Sequence, residues 1–315
     1  MTTDKWASAF KKFVSPWAEG NPQRLLPSMR FSSILTAALV GPKQKPTSTS
    51  FHVRGKIALV RAVVPLVASA NNLDGLGSFF GRDAVHNILN EPPPADLHGR
   101  LKFTVEKFVD AADIAGKTVL DIGCGYGWFE LWAAKQGVKK ITGLDMTAAD
   151  LKTASENIRL PLVSFQEGGA TALPMESGSC DTVVSWEVIE HIPPGSEPRM
   201  FAEVNRVLRP GGCFYLSTPN GALRSILGDP TYWMIRHRHY RLSYFQALAP
   251  EHGFKVARHA VKGGLIEIAD MWNLYVSKWI FRRDRFFKQR SLAWTDYDYG
   301  RERGFNTLFV KFVKG

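Results

Sequence analysis

Cysteine is scarce in this chain: Cys124, Cys180 and Cys213 are the only three in 315 residues. An odd, widely spaced set excludes a disulfide framework and has no Cys-x-x-Cys metal spacing, so free thiols in a reducing compartment are expected. Long apolar runs are also missing. The longest, 31–40 and 57–70, fall short of the roughly 20 residues that span a bilayer, and Arg61 interrupts the second. The opening residues lack the basic-then-apolar layout of a secretory signal, so a cytoplasmic location is expected. Acidic side chains are in deficit, 29 against 40 Lys and Arg, which leaves a net charge of +11. The deficit is uneven: residues 1–100 hold 12 basic and 6 acidic side chains, residues 101–220 hold 11 and 15, and residues 221–315 hold 17 and 8. An acidic middle with basic flanks argues against a main domain that wraps DNA. It leaves phosphate-bearing substrates or an anionic lipid surface as partners for the flanks.

What is present is a core-forming composition, 45% hydrophobic and 22% charged, with a change of rhythm at residue 97. Before it, Gly-Pro-Lys-Gln-Lys-Pro-Thr-Ser-Thr-Ser (41–50) and Glu-Pro-Pro-Pro (91–94) read as linkers, and 57–70 reads as a short apolar helix. Residues 1–95 are thus an N-terminal helical extension. From there Leu101, Val105, Phe108 and Val109 recur at helical spacing and predict an amphipathic helix over 97–112. Strands are expected at 117–122, 140–145, 162–167, 182–186, 213–217, 254–261 and 305–313, with helices at 128–136, 148–158, 198–208 and 244–252. Regular alternation implies an α/β fold with a mostly parallel seven-stranded sheet, helices on both faces and a closing strand pair. The core is placed at 96–262, and 263–315 is a basic, aromatic C-terminal extension that carries the closing strand.

The sharpest chemical signal is Val-Leu-Asp-Ile-Gly-Cys-Gly-Tyr-Gly (119–127), an apolar strand running into a glycine turn and then a helix. Such a turn brings backbone close to a ligand at a helix N-terminus. The second strand, Lys-Lys-Ile-Thr-Gly-Leu-Asp (139–145 within its flanks), ends in Asp145, an acid 22 positions after Gly123 that can accept both hydroxyls of a ribose. A dinucleotide and another adenosine-bearing cofactor both fit that pairing. The glycines follow Gly-x-Gly-x-Gly, however, and lack the Gly-x-Gly-x-x-Gly spacing of a pyrophosphate clamp.

With Ala-Leu-Pro-Met (172–175), Cys-Asp-Thr-Val-Val-Ser (180–185) and Arg-Val-Leu-Arg-Pro-Gly-Gly (206–212) following in order, the stretch resembles the class I S-adenosylmethionine-dependent methyltransferases. The resemblance covers about residues 97–261 and implies a Rossmann-like sheet. It also implies that Asp121, Gly123, Gly125 and Gly127 line the methionine end of the cofactor, that Asp145 holds the ribose, and that Met146 packs on the adenine. Where the family often carries an acid for the adenine amino group, this chain has Gly169; the backbone around Ala170, or Glu167, is expected to replace it.

After the fourth strand comes Trp-Glu-Val-Ile-Glu-His-Ile-Pro (186–193). If it forms a helical turn, Glu187, Glu190 and His191 share one face. Such a set can take a proton from an acceptor hydroxyl or hold a divalent cation such as Mg2+. The run is similar to one in the ubiquinone-biosynthesis O-methyltransferases and in the small-RNA 2′-O-methyltransferases. That likeness implies a metal set of Glu187, Glu190, His191 and a downstream histidine, with His239 preferred over His237. A pocket-shaping role without metal is the alternative, and for the two histidines so is phosphate or solvent contact beside Arg236, Arg238 and Arg241. Residues 264–290 interleave aromatics with Lys278, Arg282, Arg283, Arg285, Lys288 and Arg290. A helix in a membrane interface, a core-packing helix with a basic end, and an RNA groove are the three readings. The expected function is methyl transfer to a hydroxyl of a small or lipid-linked acceptor, a quinone-type phenol or a glycan, with residues 1–95 as a lid and peripheral contact with the inner membrane face. RNA ribose methylation, a catalytically silent cofactor-binding subunit and a nicotinamide-dependent oxidoreductase are the rivals.

Overall fold

A computed structural model of the chain describes residues 96–235, 237–279 and 283–315. The expected helix at 57–70 and the lid lie outside the described residues. Seven strands form one sheet in the order β3-β2-β1-β4-β5-β7-β6. They are β1 (Thr118–Ile122), β2 (Lys140–Asp145), β3 (Val163–Glu167), β4 (Cys180–Trp186), β5 (Leu208–Pro219), β6 (Phe254–Lys262) and β7 (Thr307–Lys314). The first five run parallel, and β7 is antiparallel to both β5 and β6. The α/β expectation with seven mostly parallel strands therefore holds. Central β1 is apolar except for Thr118 at its start and Asp121, because both of its faces are covered.

Nine α-helices are described: α1 (Gly99–Phe103), α2 (Trp128–Lys135), α3 (Ala148–Asn157), α4 (Glu197–Val207), α5 (Leu223–Gly228), α6 (Pro230–Ile235), α7 (Leu242–Glu251), α8 (Leu265–Trp279) and α9 (Lys288–Gly300). Helix α4 buries Met200, Phe201, Val204 and Val207, a stripe at helical spacing, against one face of the sheet with Leu120, Ile122 and Val183. The opposite face packs Val119, Ile141 and Val184 against Phe129 of α2 and Phe108.

One expectation needs correction. The helix over 97–112 breaks after Phe103 into a π turn (Thr104–Phe108) and a 3-10 turn (Ala111–Asp113). The Thr104 hydroxyl donates to the carbonyl of Arg100, and Val109 N–H donates five residues back to Thr104 at 2.8 Å, which widens the ladder. Val105, Phe108 and Val109 still reach the core, so the apolar spacing outlives the α-helix. The segment after 263 supplies β7, an inner strand between β5 and β6, and the sheet is incomplete without it. In α8, Glu267 and Asp270 are buried and bonded inward, to Tyr299 and Asn306 and to Arg285 and Ser291 respectively. This is the packing arrangement rather than that of a helix floating with its acids toward water. No helix of the described residues is long and apolar enough to cross a membrane.

Candidate active site

The strand order reverses between β1 and β4, and in open α/β sheets ligands bind outside the carboxyl ends of strands at such a switch point. The loops leaving β1 and β4 are the glycine turn and the 187–192 segment. A β-carbon at Gly123 would sit 2.3 Å from Cγ2 of Val188, so glycine there lets the two loops touch. Gly125 has φ +53° and nothing near where its β-carbon would project, which leaves open space above the turn. Gly127 faces Ile158 and Phe165 and lets α2 pack beside α3 and β3.

Asp145, at the end of β2, braces this turn. One carboxylate oxygen accepts from Gly125 N–H at 3.0 Å and the other from Thr147 N–H at 2.8 Å. The remaining lone pairs of the same oxygens are those a ribose would use. Met146 is half-exposed next to it, and Ala170 is buried at the end of a short loop tied to Asp145 through Gly168 N–H. Asp145 and the glycine turn are thus joined at the carboxyl ends of β1 and β2, with Met146 next to them and Ala170 two residues beyond Gly168. Asp121 lies beneath the turn, fully buried.

The 187–192 segment is a sequence of turns, not a helix, and it separates the residues predicted to converge. Glu187 adopts a left-handed conformation, φ +58°, and turns away. Its carboxylate accepts from Ser217 Oγ at 2.7 Å and pairs with Arg100 at 2.9 Å. Glu190 is buried; Thr218 Oγ1 donates to its Oε2 at 3.0 Å, while Oε1 has no hydrogen-bond partner. Burial, with the charge of Glu187 beside it, pushes Glu190 well above the usual carboxylate range. His191 Nε2 lies 3.2 Å from Nε2 of His237, and Glu190 Oε1 lies 3.7 Å from the same His237 nitrogen. The expected partner, His239, instead points Nε2 at Asp229 Oδ2, 3.3 Å away. The structure therefore gathers Glu190, His191 and His237, with ligand atoms within 4.8 Å of one another, and leaves Glu187 and His239 outside.

Asp229, which sequence patterns did not single out, organises the histidines. Its Oδ2 lies 3.0 Å from His237 Nδ1, and Thr231 caps its other oxygen. Against its burial, the hydrogen bond and charge of His237 hold the Asp229 carboxyl below the ordinary range. With Nδ1–H held by Asp229, Nε2 of His237 is left as the acceptor toward His191. Burial, and then the neighbouring His237 and Arg238, push His191 down to about 3. Arg238 pins the loop by donating to the carbonyls of Ile189, Glu190 and Ile192 and to the carboxylate of Glu197. The only sequence signal for Asp229 and Arg238 was their nearness to a His-rich run.

Residues 119–212 match a methyltransferase domain family. A probable S-adenosylmethionine-dependent methyltransferase of Mycolicibacterium smegmatis is 39% identical over 34% of this chain and 39% of its own length. A probable phthiotriol/phenolphthiotriol dimycocerosates methyltransferase 2 of Mycobacterium ulcerans is 38% identical over 33% of this chain and 40% of its own. A ubiquinone biosynthesis O-methyltransferase of Paraburkholderia xenovorans is 36% identical over 38% of this chain and 52% of its own. The chain thus spans two fifths to a half of the length of these relatives. The matched segment contains the glycine turn, Asp145 at the end of β2 and the loop after β4. Residues 119–212 accordingly match a methyltransferase domain, and resemble relatives that include a probable S-adenosylmethionine-dependent methyltransferase.

Proposed function

We propose that the chain uses S-adenosylmethionine to methylate a hydroxyl of a small or lipid-linked acceptor, a quinone-type phenol or a glycan on a lipid carrier. One observation carries this reading. The loop bearing Glu190 and His191 packs on the glycine turn through Val188 and Gly123, which supports a titratable cluster acting beside the methionine end of the cofactor. Transfer is an in-line displacement on a methyl group already activated by its sulfonium, so alignment and exclusion of water dominate, on the order of 7–11 kcal/mol. A hydroxyl acceptor must also lose its proton. Burial holds His191 neutral and so able to take that proton, and the charge of Asp229 favours the imidazolium it becomes, against His237 and Arg238. Relatives named for phthiotriol dimycocerosates and for ubiquinone biosynthesis support the acceptor class.

The family resemblance also implies a divalent cation, and the residues fit one, since Glu190 Oε1 is buried without a partner in reach of two imidazole nitrogens. Glu190, His191 and His237 would hold it, and it would supply acidification of the acceptor hydroxyl. Contact with an anionic membrane is proposed for the C-terminal segment, where Leu265, Phe287, Trp294 and Tyr297 are exposed among basic residues.

Incubation with methyl-labelled cofactor and fractionated cell extract tests the function. Label is expected in the lipid or small-molecule fraction, lost in His191→Ala while cofactor binding persists. Label in RNA would replace this acceptor with a ribose, and ordinary cofactor binding without label anywhere would leave a silent subunit. A rate indifferent to chelators would remove the cation.

A further inference from the structure

Beneath the glycine turn lies a pair of acids that the methyl-transfer chemistry does not use. Side chains alternate along β1, so Asp121 shares a face with Val119, the face that α2 covers. Glu130 of α2 meets it there. The partner of Asp121 on β2 is Gly143, and a β-carbon at Gly143 would lie 2.4 Å from Oε1 of Glu130. A missing side chain on one strand thus makes the room that a carboxyl from the helix occupies. Asp121 is 1% exposed and Glu130 0%. None of their four carboxyl oxygens meets a hydrogen-bond donor among the described residues. The other ionisable groups facing them are Asp145 from β2 and the Cys124 thiol, neither of which brings positive charge. Two buried acids without a cation or donor cannot both be ionised, and a proton between them is the way out.

We propose that Glu130 and Asp121 gauge the charge of the cofactor: the pair holds a proton while the crevice is empty and releases it to solvent when the sulfonium settles on the turn above. Methyl transfer turns the sulfonium into a neutral thioether, so the product S-adenosylhomocysteine carries one positive charge fewer and the pair takes a proton back. Glu130 is therefore a determinant of preference for charged cofactor over product, and the preference grows as pH rises. Burial, with Glu130 alongside, holds Asp121 well above the usual carboxylate range, and burial pushes Glu130 up to about 8, both in the sense required. The inference rests on the reading that this turn holds S-adenosylmethionine.

Isothermal titration of the full chain with S-adenosylmethionine and with S-adenosylhomocysteine, each in buffers of different ionisation enthalpy, counts the protons. The sulfonium also lowers the pKa of the cofactor's own ammonium group, so each count is referred to Glu130→Gln, which keeps the ligands' own titration and removes only the pair's. The wild type is expected to release more protons with the charged cofactor, by on the order of half a proton per site, and its cofactor-to-product affinity ratio should rise severalfold between about pH 6 and 9. In Glu130→Gln the amide donates to Asp121, which is ionised before either ligand arrives, so the difference and the slope should fall to what the ligands' own amino groups contribute while both ligands still bind. Equal proton release for the two ligands in the wild type, or an undiminished difference in Glu130→Gln, overturns the proposal. Failure of both ligands to bind would instead defeat the cofactor reading. The substitution is isosteric, and an unchanged melting temperature would exclude misfolding as the cause of any loss.

Discussion

Asp145 braces the turn through Gly125 and Thr147, and is proposed to hold the cofactor's ribose as well. Asp145→Ala should weaken S-adenosylmethionine binding tenfold or more, since a charge-assisted contact contributes roughly 1.5–3 kcal/mol; calorimetry showing unchanged affinity would count against the ribose assignment. Asp229→Asn should lower turnover at least tenfold with the cofactor dissociation constant unchanged, because the amide can present N–H to His237 Nδ1 and impose the other tautomer. Equal turnover in steady-state assays would contradict that role. His239, with its side chain 3% exposed, is pushed by burial down to about 4 from an unfolded value near 6.5. The unfolded chain therefore binds this proton more readily. Its contribution is intact above about pH 6.5 and is lost as pH falls toward 4, by about 1.4 kcal/mol per pH unit. Urea midpoints at pH 7 and 5 should fall less in His239→Asn than in the wild type, and equal falls would contradict the buried neutral state. Asp145 was legible as a candidate because a strand end and a short spacing single it out. Asp229 was not, since its partners Thr231, His237 and His239 follow it within ten residues but at no regular helix or strand spacing.

Loops and helices divide the same way. Gly123 and Gly125 both have positive φ, but only Gly123 is packed, against Val188. Gly123→Ala should therefore destabilise the fold by about 1–3 kcal/mol and part the two loops, whereas Gly125→Ala should cost about 1 kcal/mol of strain and chiefly reduce cofactor affinity. Thermal melts alongside calorimetry would separate the two, and matching losses in stability would contradict the packing argument. The turn was readable because its glycines are local signals. The helical face expected of Glu187, Glu190 and His191 failed at one left-handed residue, Glu187, whose conformation is held by Arg100 and Ser217. Helix α9 escaped notice for another reason. It carries no apolar stripe, and its buried positions are Ser291, Thr295, Asp298 and Tyr299.

At the scale of the molecule, parallel strands covered on both faces announce themselves as apolar runs, which is why the alternation gave the fold class. Strand order was invisible in that pattern: nothing local says that the last strand enters between β5 and β6. Phe309, Val310 and Phe312 of β7 are fully buried, so a chain ending at residue 304 should lose cooperative melting by circular dichroism. Native-like melting would mean that the sheet closes without β7. The same strand order sets β1 beside β4 and so creates the crevice in which glycine turn, Asp145 and His191 loop meet. Whether that crevice holds an adenosyl sulfonium is tested most directly by titrating the full chain with S-adenosylmethionine and, separately, with a nicotinamide dinucleotide. Saturable one-to-one binding of the first and none of the second is the predicted result; binding of the dinucleotide alone would contradict the account.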